Sequence, residues 1–128
     1  MAGALNPLFG GSTVAQLYLS AFKAFSTRPA IISDGGELTY GMLEKRCYQT
    51  ARLLQIQGLQ RQDTIAFLVG NRSEAIVAII AAQLIGLKNV SLHPMASEQD
   101  HLFVLQDASV KVLIVDSLKF SGRAQAIL

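Results

Sequence analysis

The sequence has very few of the residues that build disulfide or metal sites. Its 128 residues include one cysteine, two histidines and no tryptophan. The lone Cys47 has no partner for an internal disulfide, and one cysteine with two histidines is too few for the ligand spacing of a zinc site. These absences favour a reducing, cytoplasmic setting for the protein.

Charge of either sign is also scarce. Charged residues make up 16% of the chain, and eleven Lys and Arg against nine Asp and Glu leave a net charge of +2. The basic residues are scattered between Lys23 and Arg123 without forming a run, which argues against a nucleic-acid partner. Hydrophobic residues reach 51%, too much apolar surface for a disordered tail.

No hydrophobic run is long enough to cross a membrane. The most apolar stretch, Ala75 to Leu87, is 13 residues long, whereas a span needs roughly 18–20. The first residues lack the basic and apolar regions of a signal peptide. We therefore predict no transmembrane segment and interpret the stretch as a buried helix.

Hydrophobic periodicity predicts strands that alternate with helices, in an α/β fold with a predominantly parallel sheet, flanking helices and an N-terminal β-hairpin. Residues 1–12 are expected to be a flexible N-terminus and residues 13–128 a single α/β subdomain. The predicted elements are a helix over 13–26 capped by Ser12 or Thr13, a hairpin of strands 30–33 and 37–40, a helix over 41–57 ended by Gly58, a strand over 64–69, a helix over 74–85 capped by Ser73 and ended by Gly86, a strand over 89–92, a helix from the N-cap Ser97 to 108, a strand over 110–115 and a helix from 118.

Phosphate loops and nucleophile motifs are missing from the sequence. Neither G-x-G-x-x-G nor G-x-x-x-x-G-K-[ST] occurs, and no G-x-S-x-G elbow is present. The cluster Gly10-Gly11-Ser12-Thr13 could hold an anion at a helix N-terminus. No strand precedes it and no lysine follows closely, so helix capping is the favoured interpretation.

Three single residues have side chains that are common in catalytic sites: His93, His101 and Cys47. His93 follows a predicted strand, where α/β sheets place ligands, so it is a candidate general base, although a role in the strand-to-helix turn is favoured. His101 is predicted to be a solvated residue in the first turn of its helix. Cys47 falls on the inward stripe of its helix, which favours a small buried hydrophobe over a reactive thiol.

Paired charges give no catalytic arrangement. Glu98 and Asp100 are two residues apart, so on a helix they point to different sides, and the helix dipole explains them. Arg61 and Asp63 bracket a turn, as is common on a surface loop. No catalytic, cofactor-binding or metal-binding residue is therefore assigned.

Short segments in a fixed order nevertheless run along most of the chain. They are Arg28-Pro29-Ala30-Ile31, Leu38-Thr39-Tyr40-Gly41-Met42-Leu43, Ala51-Arg52-Leu53-Leu54, Gly58-Leu59, Asp63-Thr64-Ile65-Ala66, Asn71-Arg72-Ser73-Glu74, Ala82-Gln83-Leu84-Ile85-Gly86 and Leu105-Gln106-Asp107-Ala108. Together, over about residues 13–117, they resemble the N-terminal region of the adenylate-forming (AMP-binding) superfamily, which includes acyl-CoA synthetases, luciferases and peptide-synthetase adenylation domains. The stretch from Leu92 to Leu105 is more similar to some bacterial fatty-acyl-CoA ligases than to amino-acid-activating domains.

The sequence departs from the family pattern at two places. Where the family usually has Gly-Asp before a strand, this chain has Gln62-Asp63. Where it usually has Gly-Ala and a small apolar run ending in proline, this chain has Gly86-Leu87-Lys88-Asn89.

The resemblance implies an ATP-dependent acid–thiol ligase that forms an acyl-adenylate and passes the acyl group to coenzyme A, with ATP, Mg²⁺ and coenzyme A as cofactors of the full-length enzyme. The family's phosphate loop, adenine- and ribose-binding residues and catalytic lysine have no counterpart here. The chain is therefore expected to be a truncated scaffold fragment, inactive alone, whose partner is the remainder of the parent ligase. Such a fragment would hide apolar surface by homodimerising or exchanging elements. The alternatives are a stand-alone α/β binding or signalling module, such as a flavodoxin-like domain, and a non-catalytic interaction subunit.

Overall fold

The computed structural model describes residues 13–128, so the predicted flexible segment 1–12 and the cluster Gly10-Gly11-Ser12 lie outside the described residues. The elements alternate broadly as predicted. They are α1 (Val14–Ala24), β1 (Pro29–Ser33), β2 (Gly36–Thr39), α2 (Tyr40–Ile56), β3 (Thr64–Leu68), α3 (Ser73–Leu84), β4 (Lys88–Ser91), α4 (Glu98–Asp107), β5 (Val110–Val115) and α5 (Ser117–Ile127).

Strand β3 is the centre of a three-stranded parallel sheet with the order β4-β3-β5. Strands β1 and β2 form a separate antiparallel hairpin. The predicted α/β class, with a parallel sheet and an N-terminal hairpin, is therefore confirmed. All five residues of β3 are buried because helices cover both faces of the sheet.

The two faces of β3 contact different groups of helices. Ile65 and Phe67 pack in one cluster with residues of α2 and α3. Ala66 and Leu68 point to the other face and pack with Leu92 and with residues of α4 and α5. The alternation of a strand therefore divides the core into two halves that share β3.

Helix α2 carries the inward stripe that the periodicity predicts. Leu43, Cys47, Ala51 and Leu54 are its buried residues. The chain leaves α2 through Gly58, whose φ of +93° is the left-handed conformation expected at a helix C-cap. The stripe joins α2 to α1, α3 and the hairpin on one side of the sheet.

Several local predictions were wrong in detail. Ser73 does not cap α3: Arg72 occupies the N-cap position without a side-chain cap, and the Ser73 hydroxyl donates to the Glu74 carboxylate instead. Tyr40 belongs to α2 rather than β2, because the Thr39 side chain accepts from the Met42 N–H and starts the helix there. In the turn between β1 and β2, Gly36 has a positive φ of +116° and Gly35 does not.

Strand β4 and helix α5 are among the elements that begin one residue earlier than predicted. Strand β4 starts at Lys88, whose N–H donates to the Asp63 carbonyl at 2.8 Å. Helix α5 starts at Ser117, because the Asp116 carboxylate accepts from the Leu118 N–H and caps it.

Gln62 is strained at the position where the family usually has glycine. Its φ of +76° is in the left-handed region, which costs a residue with a Cβ about 1–2 kcal/mol. Glycine there would remove that cost but loses about 0.5–1 kcal/mol of conformational entropy on folding. We therefore expect Gln62→Gly to raise the free energy of unfolding by about 0.5–1 kcal/mol in urea titrations.

Gln60→Gly is the matched control for this prediction. Gln60 lies two residues earlier and has no positive φ, so glycine there should bring only the entropic loss. Equal destabilisation by both substitutions would contradict the strain at Gln62.

Candidate functional site

A crevice opens where β3 and β5 end side by side at the carboxyl edge of the sheet. Helix α3 leaves β3 on one face and α5 leaves β5 on the other. In parallel sheets this switch of faces between neighbouring strands is where ligands bind. The cavity measures about 140 Å³. Its lining residues are Val69, Arg72, Glu74, Ala75, Ile114, Val115, Asp116 and Ser117.

Asp116 is the most enclosed polar side chain of this crevice, with 4% of the side chain exposed. Its Oδ1 accepts from the Leu118 N–H at 3.1 Å and from Arg72 Nη1 at 3.3 Å. Its Oδ2 is buried and has no hydrogen-bond partner among the described residues. Gly70 makes room for this oxygen, because a Cβ there would lie 3.1 Å from Oδ2.

Arg72 stands between two carboxylates. Its guanidinium contacts Asp116 on one side and Glu74 at 3.5 Å on the other, and its side chain is 41% exposed. A hydrogen bond from the Glu74 backbone N–H, with a smaller effect from Arg72, holds the pKa of the Glu74 carboxyl below its usual value. The charged lining of the crevice is thus two carboxylates and one guanidinium that they share.

The prediction that His101 is solvated was wrong, because the residue is 1% exposed. Its Nε2 lies 2.7 Å from the His93 carbonyl oxygen, and its Nδ1 lies 3.0 Å from Arg123 Nη1. Arginine can only donate, so Nδ1 is the acceptor and Nε2 carries the proton that goes to the carbonyl. Arg123 also donates to the Ala96 carbonyl at 2.9 Å. We call His101, Arg123 and the His93 and Ala96 carbonyls the His101 clasp, which links α5 to the start of α4.

His93 itself is exposed and serves the turn after β4, as the favoured interpretation had it. Its Nδ1 accepts from the Met95 N–H at 3.1 Å. It does not line the crevice. The structure therefore does not join the two histidines to the crevice residues.

The acidic residues Glu98, Asp100 and Asp63 stabilise local structure. Glu98 and Asp100 occupy the first turn of α4, where Ser97 is the N-cap. Asp63 accepts from the Gln60 N–H and pairs with Lys111 Nζ at 2.8 Å, and the hydrogen bond from Lys111 is the main reason why the pKa of Asp63 is lowered. At the chain start, Thr13 caps α1 by accepting from the Gln16 N–H.

Cys47 is fully buried, and burial raises the pKa of its thiol to about 11. An unfolded cysteine has a pKa of about 8.5. The folded state therefore holds the thiol proton more tightly, and this contribution to stability is present below pH 8.5 and lost as the pH rises to 11. We expect the free energy of unfolding to fall by about 2–3 kcal/mol across that range.

The difference in the free energy of unfolding between the unsubstituted protein and Cys47→Ala isolates this effect, because both proteins contain the other titrating groups. The variant should be less stable at pH 8 and should approach the unsubstituted protein by pH 11. Parallel pH profiles for the two proteins would contradict the raised pKa.

Metal and membrane sites have no support in the part of the chain that the structure describes. Within residues 13–128, no three His, Cys, Asp or Glu side chains come together to hold a metal ion. None of the described helices is long and apolar enough to cross a membrane.

Comparison with known proteins shows which family the chain belongs to. Residues 20–127, most of the chain, match the family described as AMP-binding enzyme. The chain belongs to this family. The resemblance predicted from the ordered segments is thereby confirmed.

Curated relatives of this chain include several CoA ligases. It is 33% identical over 114 residues to the medium/long-chain-fatty-acid–CoA ligase FadD8 of Mycobacterium tuberculosis, covering 88% of this chain and 20% of the relative. It is 26% identical over 95 residues to the 3-hydroxybenzoate–CoA ligase of Aromatoleum, covering 74% and 18%. The chain thus spans about a fifth of the length of these relatives.

Solved structures share the fold. The N-terminal subdomain of Klebsiella oxytoca NpsA superposes with a TM-score of 0.77 and 27% identity, covering 82% of this chain and 26% of that one. The O-succinylbenzoate coenzyme A synthetase of Bacillus subtilis, in complex with AMP, gives 0.79 and 27%, covering 87% and 29%. This chain therefore has the architecture of the N-terminal subdomains of adenylate-forming enzymes.

Sequence reasoning did not single out Asp116 or Arg72 as site residues. Asp116 directly follows the predicted strand 110–115, and Arg72 closely follows the predicted strand 64–69. A polar residue just after a strand is a signal for the carboxyl edge of the sheet. That signal becomes informative only when β3 and β5 are known to be neighbours.

Proposed function

We propose that residues 13–128 form a single α/β subdomain and serve as an N-terminal scaffold of a fatty-acyl-CoA ligase. The parent enzyme would activate a fatty acid with ATP, release pyrophosphate and transfer the acyl group from AMP to coenzyme A, a role in fatty acid metabolism. The observation that carries this proposal is the 33% identity over 114 residues to a medium/long-chain-fatty-acid–CoA ligase.

The preference for a fatty acid over other acids is the finer part of the proposal, because the relatives are named for different acids. The medium/long-chain-fatty-acid–CoA/3-oxocholest-4-en-26-oate–CoA ligase of Mycolicibacterium smegmatis is 32% identical over 117 residues. The 2-succinylbenzoate–CoA ligase of Bacillus velezensis is 33% identical, but over 90 residues. The greater length of the first two matches, those to the Mycobacterium and Mycolicibacterium ligases, favours a fatty acid over an aromatic acid.

The crevice supports a scaffold role because it does not suit a triphosphate. A triphosphate carries several negative charges and needs positioned cations or backbone donors. Among the residues that line the described crevice, the one cation is Arg72, which two carboxylates already share. The unpartnered Asp116 oxygen would repel phosphate. We therefore propose that the chain alone is inactive and that the parent's other residues bind ATP, Mg²⁺ and coenzyme A.

Two measurements on the chain test its inactivity. Isothermal titration with Mg²⁺ and ATP should show no binding tighter than millimolar, and incubation with a fatty acid and ATP should release no pyrophosphate. Either signal would show that the chain holds an active site of its own.

A chimera tests the scaffold role. Residues 20–127 would replace the corresponding segment of the mycobacterial ligase with which they share 33% identity. The chimera should keep fatty-acid-dependent CoA ligase activity, and the same chimera carrying Phe67→Ala should lose it through misfolding. A chimera that folds but has no activity would count against the proposal.

The setting we propose for this scaffold is the cytoplasm. The one cysteine is a free, buried thiol, and such a thiol needs no oxidising compartment.

The fragment should also self-associate. Leu53 and Ile56 lie one turn apart on α2 and are 61% and 68% exposed, which makes an apolar patch. Strands β4 and β5 lie at the two edges of the described sheet. We expect sedimentation equilibrium to show a concentration-dependent dimer, weakened in the double variant Leu53→Lys/Ile56→Lys. A monomer at high concentration would contradict this expectation.

A further inference from the structure

We infer that the free side of β5 is a docking surface for one further β-strand, which pairs parallel to β5 and carries apolar side chains on both faces. The occupant is the strand that follows α5 in the parent ligase, so the source of the strand rests on the proposed function. The pairing itself depends only on residues of this chain. The pairing and the source can therefore be tested separately.

Strand β5 has the sequence of an interior strand but lies at an edge of the described sheet. Five of its six residues are apolar, with Lys111 as the exception, and such runs are typical of parallel strands that are covered on both faces. It pairs with β3 on one side, and no strand within residues 13–128 pairs with it on the other. None of its residues is buried, whereas all five residues of β3 are. A strand added to the free side would bury them.

The opposite edge of the sheet, β4, is protected against pairing, whereas β5 is not. Strand β4 has four residues, of which Lys88 and Ser91 are exposed. Short strands and exposed lysines are how natural sheets prevent pairing at an edge. Strand β5 is longer, and its one charged side chain is engaged elsewhere, because Lys111 Nζ pairs with Asp63 at 2.8 Å. Of these two edges, β5 is thus the one that is open to a partner strand.

The backbone groups on the free side of β5 belong to Leu113 and Val115. The Asp116 N–H, one residue after the strand, donates to the Leu68 carbonyl at 3.0 Å and so points toward β3. Successive residues of a strand direct their backbone groups to opposite sides. Leu113 and Val115 therefore direct theirs away from β3, where an extended chain can both donate to them and accept from them.

Apolar surface beside β5 would receive the side chains of a further strand. On the side of α4 and α5, an open groove of about 320 Å³ borders β5. Its lining is mainly apolar and includes Leu105 of α4, Leu113 of β5 and Ile127 of α5. On the other face, Val112 and Ile114 are half-buried against the cluster that α2, α3 and β3 form. Apolar side chains on both faces of a partner strand would therefore leave water.

The handedness of the crossovers leads the chain after α5 to this same side. Connections between parallel strands are right-handed in about 98% of cases. From β3 the chain passes through α3 on one face to β4, and then through α4 on the other face to β5, on the far side of β3. Helix α5 lies on the same face as α4. A right-handed crossover through α5 thus continues in the direction from β4 to β5, which ends at the free side of β5.

The end of α5 lies where a strand parallel to β5 would begin. Ile127, the last residue of α5, lines the same groove as Val110, the first residue of β5. A connection of about 4–6 residues, the common length between elements, is enough to start a strand there. The new strand would run in the direction of β5, which makes the pairing parallel.

Hydrogen exchange on the ¹⁵N-labelled chain tests the pairing. The first probe is a synthetic peptide of about 12 residues, enough for a connection and one strand. Its sequence is the segment after the counterpart of α5 in the 33% identical mycobacterial ligase. The second probe is a designed peptide of alternating valine and isoleucine between terminal lysines. Each should slow exchange of the Leu113 and Val115 amides at least about tenfold.

The β4 edge provides matched control amides. The Lys88 N–H donates to the Asp63 carbonyl and the Leu92 N–H to the Phe67 carbonyl, so both point toward β3. By the same alternation, Asn89 and Ser91 direct their N–H groups to the free side of β4. Exchange of these two amides should not change when the peptides are added. Equal slowing at both edges would indicate a general effect and count against the docking surface.

Peptide chemistry tests the direction and the hydrogen bonds of the pairing. A nitroxide at the C-terminus of the peptide should broaden the Val115 amide, and one at the N-terminus should broaden the Val110 amide, as parallel pairing requires. N-methylation of alternate peptide residues removes the donors on one side of the strand only. One of the two alternating sets should abolish the protection and the other should preserve it.

Proline variants assign the binding to the named edge. Val115→Pro removes an N–H from the free side of β5, and proline is tolerated at such positions of an edge strand. It should abolish the protection of the Leu113 amide. Ser91→Pro makes the same change at the β4 edge and should preserve that protection. The methylated peptides test the same hydrogen bonds without any change to the chain.

Three results would overturn the docking surface. The first is unchanged exchange of the Leu113 and Val115 amides with both probes. The second is broadening in the antiparallel order. The third is protection that rises with chain concentration and not with peptide, which would place a second copy on the edge. Protection by the designed peptide but not by the ligase peptide would support the docking surface and count against the proposed parent.

Discussion

Replacement of Phe67 by alanine is expected to lower the free energy of unfolding by about 3–5 kcal/mol, the largest effect foreseen for a single substitution in this chain. Phe67 is 1% exposed and lies in the central strand. Its ring packs among residues of α2 and α3. A cavity there has rigid walls on the strand side, so the surrounding structure can relax only from the helices.

Urea unfolding monitored by circular dichroism measures this effect. A small domain has a total stability of about 5–15 kcal/mol, so the variant should unfold at a much lower urea concentration or be partly unfolded without denaturant. Phe103→Ala is the matched control. Its ring is 66% exposed on α4, and its loss should change stability by less than about 1 kcal/mol. Equal effects from the two substitutions would contradict the position of Phe67 in the core.

The His101 clasp gives the second large expectation. His101→Ala should lower the free energy of unfolding by about 2–4 kcal/mol. The imidazole is 1% exposed and bonds the His93 carbonyl and Arg123 at once. Removal of the imidazole opens a cavity. It also leaves the His93 carbonyl without its donor and Arg123 Nη1 without one of its acceptors.

His93→Ala separates this effect from the loss of any histidine. The exposed His93 ring only accepts from the Met95 N–H, so its removal should cost about 1 kcal/mol or less. Arg123→Met should reproduce part of the His101→Ala loss, since it keeps the aliphatic stem but removes the donor to Nδ1. If His101→Ala were as mild as His93→Ala, the clasp would have no role in stability.

The local pattern of the sequence was enough for the elements and for much of the core. Helix α2 shows why: Leu43, Cys47, Ala51 and Leu54 follow the helical period, and all four are buried. Strand β5, Val110–Val115, likewise has the predicted bounds. Errors of one residue arose where a side chain decided the helix start, as Thr39 and Asp116 do.

The sites depended on contacts between distant parts of the chain, which local pattern does not contain. His101 is predicted to be solvated from its place in the first turn of a helix beside Asp100. Arg123, 22 residues later, is what encloses it. The Asp116 carboxylate likewise accepts a hydrogen bond from Arg72, 44 residues earlier. In the first case the packing of α4 against α5 brings the partners together, and in the second the pairing of β3 with β5 does so.

The position of β3 in the chain also bears on how the protein is made. The strand at the centre of the sheet, Thr64–Leu68, precedes both of its partners in sequence, and β5 ends at Val115. During synthesis its backbone groups on the β5 side stay unpaired until some fifty further residues have left the ribosome. Chaperone binding to the nascent chain should therefore peak between the emergence of β3 and that of β5, and should fall once Val115 is free to pair.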